Sequence, residues 1–243
     1  MNTLPLRAGA ISIAGNPLII GFGVKRYSGK DTACDELVHR HGAVKVSFAL
    51  ALKRVTAVAF GWTEEQVLDD VRKSVVDPYW GISPSQALQV LGTELFRTGM
   101  TNAALDGKLP EAFADTSFWI RRLGKELAAM ATGAVAEGAG SAVIVISDVR
   151  FPDEADFIID TLGGFVVRVD RDEELRIATA AERGDTRDPN HDSEIALDRY
   201  TRWSGEIDNS HSKAYLYDRV EELFRDFVAQ RRLAGAGSFS ATT

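Results

Sequence analysis

One stretch of the chain concentrates the residue types that handle phosphate: Ile19-Ile20-Gly21-Phe22-Gly23-Val24-Lys25-Arg26-Tyr27-Ser28-Gly29-Lys30-Asp31-Thr32. An apolar run that reads as a strand enters a loop containing Gly and Lys, and a helix is expected directly after it. Small residues let successive backbone N–H groups converge on an anion, and the helix N-terminus adds partial positive charge. Lys30 can then reach the β- and γ-phosphates of a nucleotide. The loop departs from the usual pattern twice. Five residues rather than four lie between Gly23 and Gly29, and Asp31 stands where a Ser or Thr normally touches the metal, with Thr32 one step later. Either Asp31 or Thr32 is then the Mg²⁺ contact, directly or through water. Lys30 itself is expected at the surface of the loop. The competing reading is a glycine-containing strand–helix turn with a surface lysine.

A second cluster is Val145-Ile146-Ser147-Asp148-Val149-Arg150-Phe151-Pro152. Asp148 falls where the C-terminal end of a central strand meets the ligand crevice of an open α/β sheet, with Arg150 beside it. The bland alternative has Asp148 capping the next turn and Arg150 paired with Glu154. The string Asp153-Glu154-Ala155-Asp156 spells a helicase box, but that box ends its strand, whereas here a Phe-Pro turn intervenes. An Asn/Thr-Lys-x-Asp element for reading guanine is missing.

The elements that must position these groups read as short β-rich runs alternating with helices, the mark of a parallel sheet with crossover helices. Strands are expected at 17–22, 43–48, 142–147, 164–169 and 205–208. Helices are expected from Asp31 to Gly42, over 49–60, over 153–160 and over 214–232. Residues 61–140 hold no good strand and read as a helical insertion into a core of 17–60 and 141–232. Within it, Ser83-Pro84-Ser85-Gln86 has an N-cap Ser, Pro at the first helical position and Gln at the third, a capping box. That helix has an apolar side of Leu88, Leu91 and Leu95 and a polar stripe of Gln86, Gln89, Thr93 and Arg97. The next helix, from near Thr116, presents Arg121, Arg122 and Lys125. Gln66, Asp69 and Asp70 read as a solvated helical face. Residues 1–15 and 234–243 lack apolar periodicity and are expected to be loose.

The 243 residues carry 28 Lys and Arg against 35 Asp and Glu, a formal charge of −7. That balance argues against a general nucleic-acid or membrane-surface binder, which needs excess cations facing phosphates. A protein of this composition handles phosphate only through a few local cations. The single cysteine, Cys34, excludes an intrachain disulfide and reads as a small buried residue. No apolar run approaches the roughly 20 residues that span a bilayer. Residues 1–16 carry Arg7 and no cleavage-site pattern, so a cytoplasmic protein is expected (host cytoplasm, if the chain is viral).

Several of these stretches, in order from residue 18 to about 228, resemble the bacteriophage deoxynucleoside monophosphate kinases, phosphate-loop enzymes of the nucleoside monophosphate kinase fold. They are Gly-Val-Lys-Arg…Ser-Gly-Lys-Asp-Thr (23–32, with Tyr27 extra), Val-Ser-Phe-Ala…Leu-Lys (46–53) and Leu-Gln-Val-Leu-Gly-Thr-Glu (88–94). Phe-Trp-Ile-Arg-Arg-Leu (118–123), Ile-Ser-Asp-Val-Arg-Phe-Pro-Asp-Glu-Ala (146–155) and His-Asp-Ser-Glu (191–194) complete the set. The resemblance implies a parallel α/β sheet of about five strands with a helical substrate-binding insertion and a lid. It implies phosphoryl transfer from ATP to a deoxynucleoside monophosphate, with Mg²⁺.

Carried over by position, Gly23, Ser28, Gly29, Lys30, Asp31 and Thr32 would hold ATP. Lys53, Gln89, Thr93, Trp119, Arg121 and Arg122 would face the acceptor, and Asp148 and Arg150 would lie between the two sites. A lid over about 171–203 would bring Arg171, Arg176, Arg183 and Arg187, with Arg171 and Arg187 on ATP. Lys30, Arg122, Asp148 and Arg150 form the catalytic set. Adjacent helical residues diverge by about 100°, so Arg121 and Arg122 cannot both face one ligand; Arg122 is the favoured contact, the other a surface residue pairing with Glu126. Trp119 and Phe118 read first as core, and His191 and Glu194 as turn caps without zinc-site spacing. The implied partners are small nucleotides, with homodimers left open. The competing readings are a kinase of another small metabolite, such as a dephospho-coenzyme A-like acceptor, and a regulatory protein that binds ATP without turnover.

Overall fold

Each of the five apolar runs becomes a strand of one parallel sheet: β1 (Leu18–Gly23), β2 (Val44–Val46), β3 (Val143–Val149), β4 (Phe165–Asp170) and β5 (Gly205–Asp208). The computed structural model describes residues 16–115, 117–136, 143–185 and 187–237. The strand order is β2-β3-β1-β4-β5. β1 lies at the centre, all six of its residues buried, as a strand covered on both faces requires. Successive residues point to opposite faces. Ile19, Ile144, Ile146 and Val166 therefore pack with Leu52, Leu123, Leu127 and Ile158. Ile20, Val145 and Val167 pack on the other face with Leu37, Leu216, Val220 and Phe227. β2 is shorter than its apolar run because Ser47, Phe48 and Ala49 leave the ladder to bond Asp148.

Helix α1 (Lys30–His41) follows β1 and ends on Gly42, whose φ of 61° supplies the left-handed turn that a side chain would resist. α2 (Leu50–Phe60) leads into the insertion, which among the described residues holds no strand. α3 (Glu64–Leu68) and α4 (Pro84–Gln89) both begin with capping boxes, Thr63 with Gln66 and Ser83 with Gln86. α4 then widens into π-helical turns over Val90–Gly99 before closing again as α5 (Met100–Leu105).

That widening overturns part of the expected helix faces. In a π-helical stretch the hydrogen bonds run from i to i+5 and each turn holds more residues than in an α-helix, which shifts the side-chain faces. Leu91 and Phe96 therefore both pack against the core, while Leu95 is 54% exposed. The polar stripe divides likewise. Gln86 caps its own helix, Gln89 and Thr93 turn towards the sheet's C-terminal edge, and Arg97 buries itself against the core.

α6 (Phe118–Ala136) returns to β3; the expected start at Thr116 lies outside the described residues. After β3 come α7 (Pro152–Asp156) with a π-helical continuation over Phe157–Thr161, β4, α8 (Glu173–Glu182), α9 (Asp192–Ile195) and β5. α10 (Lys213–Gly237) runs four residues into the C-terminal stretch expected to be loose. Residues 1–15 and 238–243 lie outside the described residues. No helix among those described is long and apolar enough to cross a membrane.

Arg97 is what ties the insertion to the core. Its Nη1 donates to Asp153 at 2.7 Å and its Nη2 to Glu154 at 3.0 Å, and the guanidinium lies 3.8 Å over the Phe151 ring. The helicase-like string is thus the carboxylate partner of a buried arginine. Removing one member of a buried ion pair strands the other, at about 3–5 kcal/mol. Arg97→Ala should therefore lower the urea-unfolding free energy by about that amount, and Arg97→Lys should recover only part, since one ammonium cannot bridge both carboxylates.

Candidate functional site

The C-terminal ends of β1 and β3 open onto a crevice walled by the insertion on one side and by Arg187, Ser193 and Glu194 on the other. In open α/β sheets this edge is where ligands sit. Its empty volume of about 1180 Å³ includes space open to solvent.

The loop after β1 forms the floor. Val24 (φ 98°), Tyr27 (φ 60°) and Gly29 (φ 99°) are all left-handed. A β-branched residue rarely adopts that conformation, and such strain gathers at functional sites. Left-handed residues within a loop turn its N–H groups towards one concave side, the geometry of an anion cradle. Gly29 is required: a Cβ there would stand 2.1 Å from Asn209 Nδ2, which pins the loop by donating to the Ser28 carbonyl at 2.8 Å. The Ser28 hydroxyl is buried without a hydrogen-bond partner among the described residues. Ser28 is not among the residues that line the crevice.

Lys30 is not at the loop's surface, as expected from sequence, but 4% exposed. It opens α1 beneath the loop and points into the crevice. Burial, and then the charge of Arg150, push its pKa down to about 8. Arg150 is braced by the loop itself: Nη1 donates to the Val24 carbonyl at 2.8 Å and sits 3.2 Å from Glu194. Glu194 also accepts the Arg26 N–H at 3.0 Å. Burial alone would raise its pKa, yet Arg150, that N–H and Lys30 hold it below the usual carboxylate value. Sequence reasoning saw Glu194 only as a turn cap; it is the counter-charge of the crevice. The alternative pairing of Arg150 with Glu154 does not form: the guanidinium meets Glu194, and of Arg150 only the backbone N–H reaches Glu154.

Asp148 lines the crevice, but its carboxylate is occupied. It accepts the Ser47 hydroxyl at 2.7 Å and the N–H groups of Phe48 and Ala49, both at 2.9 Å. These partners all belong to residues 47–49, so it braces a neighbouring loop and does not cap the turn that follows it. It holds the β2–α2 loop onto the end of β3.

At the other end Lys53, Gln89, Thr93 and Trp119 line the wall, together with Leu52, Ser85 and Leu88. Trp119 serves as core and wall at once, packed on Phe96 and Phe118 with its Nε1 donating to the Gly92 carbonyl. Arg121 and Arg122 do not line the crevice. Trp119 takes the crevice-facing position on α6, which turns Arg121 away and places Arg122 most of a turn further along. Arg122 Nη1 donates to Glu126 at 2.8 Å, and Arg121 Nε donates to the Ser117 hydroxyl at 2.8 Å.

Their place is taken by Lys73, which sequence reasoning missed. It comes from a 3₁₀ turn (Arg72–Ser74), lines the crevice, and bonds Asp70, an exposed residue that also lines it. Burial depresses the Lys73 pKa, and Lys53 and Arg187 are close enough to depress it further. No periodic pattern surrounds Lys73, so only the fold could reveal it.

Of the expected lid arginines, Arg187 lines the crevice, gripped by Asp185 through Nε at 3.0 Å and Nη2 at 2.8 Å. Arg171 reaches the Tyr27 carbonyl at 3.4 Å instead of the crevice wall, Arg176 bonds the Arg171 carbonyl, and Arg183 pairs with Asp70 at 3.1 Å. Asp31 lines the crevice with its carboxylate 3.4 Å from Lys45, whereas Thr32 does not line it. One exposed carboxylate beside a phosphate cradle suits Mg²⁺, which takes one or two carboxylates and otherwise phosphate and water oxygens. Among the described residues no group of three or more His, Cys, Asp or Glu is arranged to hold a metal alone.

The cationic form of Lys30 binds anions; it is complete below its pKa and lost above it. Affinity for inorganic tripolyphosphate, measured calorimetrically, should therefore weaken as pH rises through about 8. Lys30→Met should abolish that pH step.

No family model matches the chain. A protein of Acanthamoeba polyphaga mimivirus that carries the provisional name deoxynucleotide monophosphate kinase is 31% identical over 183 residues, covering 74% of this chain and 82% of that protein. Two solved structures align distantly. TT1252 from Thermus thermophilus has a TM-score of 0.41 at 15% identity, over 86% of this chain and 97% of that one. A protein from Chloroflexus aurantiacus J-10-fl, provisionally described as a kinase, has a TM-score of 0.38 at 16% identity, over 85% and 98%.

Proposed function

The chain belongs to the deoxynucleotide monophosphate kinase family, and from that premise we propose that it transfers the γ-phosphoryl group of ATP to a deoxynucleoside monophosphate, giving ADP and the diphosphate. One observation carries this reading. In a chain of net charge −7, Arg26, Lys30, Lys53, Lys73, Arg150 and Arg187 converge from separate segments on a single crevice.

The donor end is the loop 23–29, where backbone N–H groups take the phosphates of ATP and Lys30 reaches the transferring group. Arg150 and Arg187 flank it. The acceptor's phosphate is clamped by Lys53 and Lys73, cations that take the part expected of Arg121 and Arg122. Its base lies in the slot of Leu52, Leu88 and Trp119, with Ser85, Gln89 and Thr93 offering hydrogen bonds. The acceptor oxygen is already anionic, so no general base is needed, and Asp148 can remain a brace. Catalysis rests on in-line positioning and charge neutralisation. Mg²⁺, held by Asp31, would supply further neutralisation of the phosphate oxygens. Insertion and lid shut out water, which would otherwise accept the phosphoryl group. The motif resemblance favours the bacteriophage-type enzyme working in the cytoplasm.

A coupled assay of ADP release across dAMP, dGMP, dCMP, dTMP and their ribonucleotides tests the reading. Stimulation by at least one deoxynucleotide is expected; none at all overturns it. Lys30→Met should remove turnover. A hydrogen bond to a charged group is worth enough that Lys73→Met should raise the acceptor KM about ten-fold, with the ATP KM little changed. Arg122→Ala should leave both KM values within about two-fold, since an exposed i,i+4 pair contributes little.

A further inference from the structure

We propose that Tyr27, the residue that makes the phosphate loop one longer than usual, is the post on which the lid docks, and that it positions Arg187 over the crevice. The inference rests on the phosphoryl-transfer reading and adds a positioning residue to it.

Tyr27 is left-handed, which turns its side chain out of the loop towards the 183–187 segment. Its hydroxyl donates to Asp185 at 2.8 Å and accepts from Arg187 Nη2 at 3.3 Å. Its ring lies 5.4 Å from the Arg183 guanidinium and 5.9 Å from that of Arg187, within cation–π range. Its carbonyl accepts from Arg171. Four lid residues thus meet one loop residue.

The neighbouring Arg26 adds a second grip: Nη2 donates to the Arg187 carbonyl at 3.1 Å, and Nε lies 3.4 Å from Asp185. The Asp185 carboxylate is fully enclosed by these partners. Arg187, Tyr27's hydroxyl and the Arg187 N–H hold its pKa well below the usual carboxylate value against the effect of burial. Asp185 in turn orients the Arg187 guanidinium, so the aim of the one lid arginine that lines the crevice is set by the Tyr27 hydroxyl. Arg183 extends the chain of contacts to Asp70 of the insertion. Loop, lid and insertion are therefore joined through a side chain that a loop of ordinary length does not have. Without it, Arg183 and the Asp185–Arg187 pair would lose their ring and hydroxyl contacts to the loop, leaving Arg26 to hold that end of the lid.

Tyr27→Phe keeps the ring and removes only the hydroxyl. Loss of a hydrogen bond to a charged partner should speed hydrogen exchange at residues 183–190 roughly ten-fold in the full chain. It should lower kcat for transfer by a similar factor while both KM values stay within about two-fold, and raise the ADP released per diphosphate formed. Asp185→Asn should reproduce these changes, and the double variant should be no worse than either single one, since both break the same unit. Wild-type exchange and kcat in Tyr27→Phe would overturn the proposal. So would a rise in the ATP KM that matches the fall in kcat, because that marks a distorted loop rather than an unlatched lid. Should Tyr27→Phe fail to fold, Asp185→Asn carries the same readouts. If the wild-type protein phosphorylates no deoxynucleotide, the functional reading fails, while the exchange rates still decide the latch.

Discussion

Cations that will share one polyanion must be held close together before that anion arrives, and their mutual repulsion in a buried crevice is the constraint the structure is arranged around. Unit charges a few ångströms apart repel strongly once water is reduced. Burial is the larger cause of the depressed pKa of Lys30, and the added push from Arg150 is the trace of that repulsion. The answer is a set of resident carboxylates: Glu194 beside Arg150, Asp185 gripping Arg187, Asp70 bonded to Lys73. All three cations still line the crevice. Lys53 has no ion-pair partner among the described residues, and Lys30 has only a long contact to Asp31 at 3.9 Å. A phosphate entering the crevice meets charge that is assembled but not cancelled.

The same carboxylates explain how separate segments are kept in register. Glu194 belongs to the short helix α9 within the lid, yet it binds the loop N–H of Arg26 and the side chain of Arg150. Asp148 draws the β2–α2 loop onto the end of β3, and Glu154 receives Arg97 from the insertion. Every wall of the crevice is thus anchored to the carboxyl edge of the sheet by a buried or half-buried carboxylate. Buried ion pairs are weak contributors to net stability, because desolvation offsets attraction. Their worth here is geometric: breaking any one releases a wall.

What could be read in the sequence follows from what carries a local signal. The five strands, the Gly42 turn, the Ser83 capping box and the phosphate loop depend on neighbours within a few residues, so their patterns survive in one dimension. The misreadings share a different cause. Leu95 was placed by an α-helical repeat that the π-helical turns after Val90 abolish. Arg121 and Arg122 were correctly set on a helix, but which side of α6 meets the crevice is decided by the packing of Trp119 on Phe96 and Phe118. Lys73 lies in a three-residue turn with no periodicity at all. Lys30 was recognised as the essential lysine and misjudged as exposed, since the loop that covers it is itself shaped by left-handed residues no propensity favours.

The charge distribution finally limits the size of what can enter. A polyanion approaching the chain meets a net charge of −7 and is repelled over about a Debye length of roughly 8–10 Å. Inside the crevice the balance changes sign: six basic side chains face Asp31, Asp70, Asp148, Glu154 and Glu194, and of these Asp148 and Glu154 are taken up by backbone N–H groups, Ser47 and Arg97. A long nucleic acid would have to expose most of its phosphates to the acidic exterior in order to place one inside. A mononucleotide can put its whole charge within the cationic walls. The acidic surface and the positive crevice therefore act together as a size filter, favouring ligands small enough to be enclosed when the lid meets the loop.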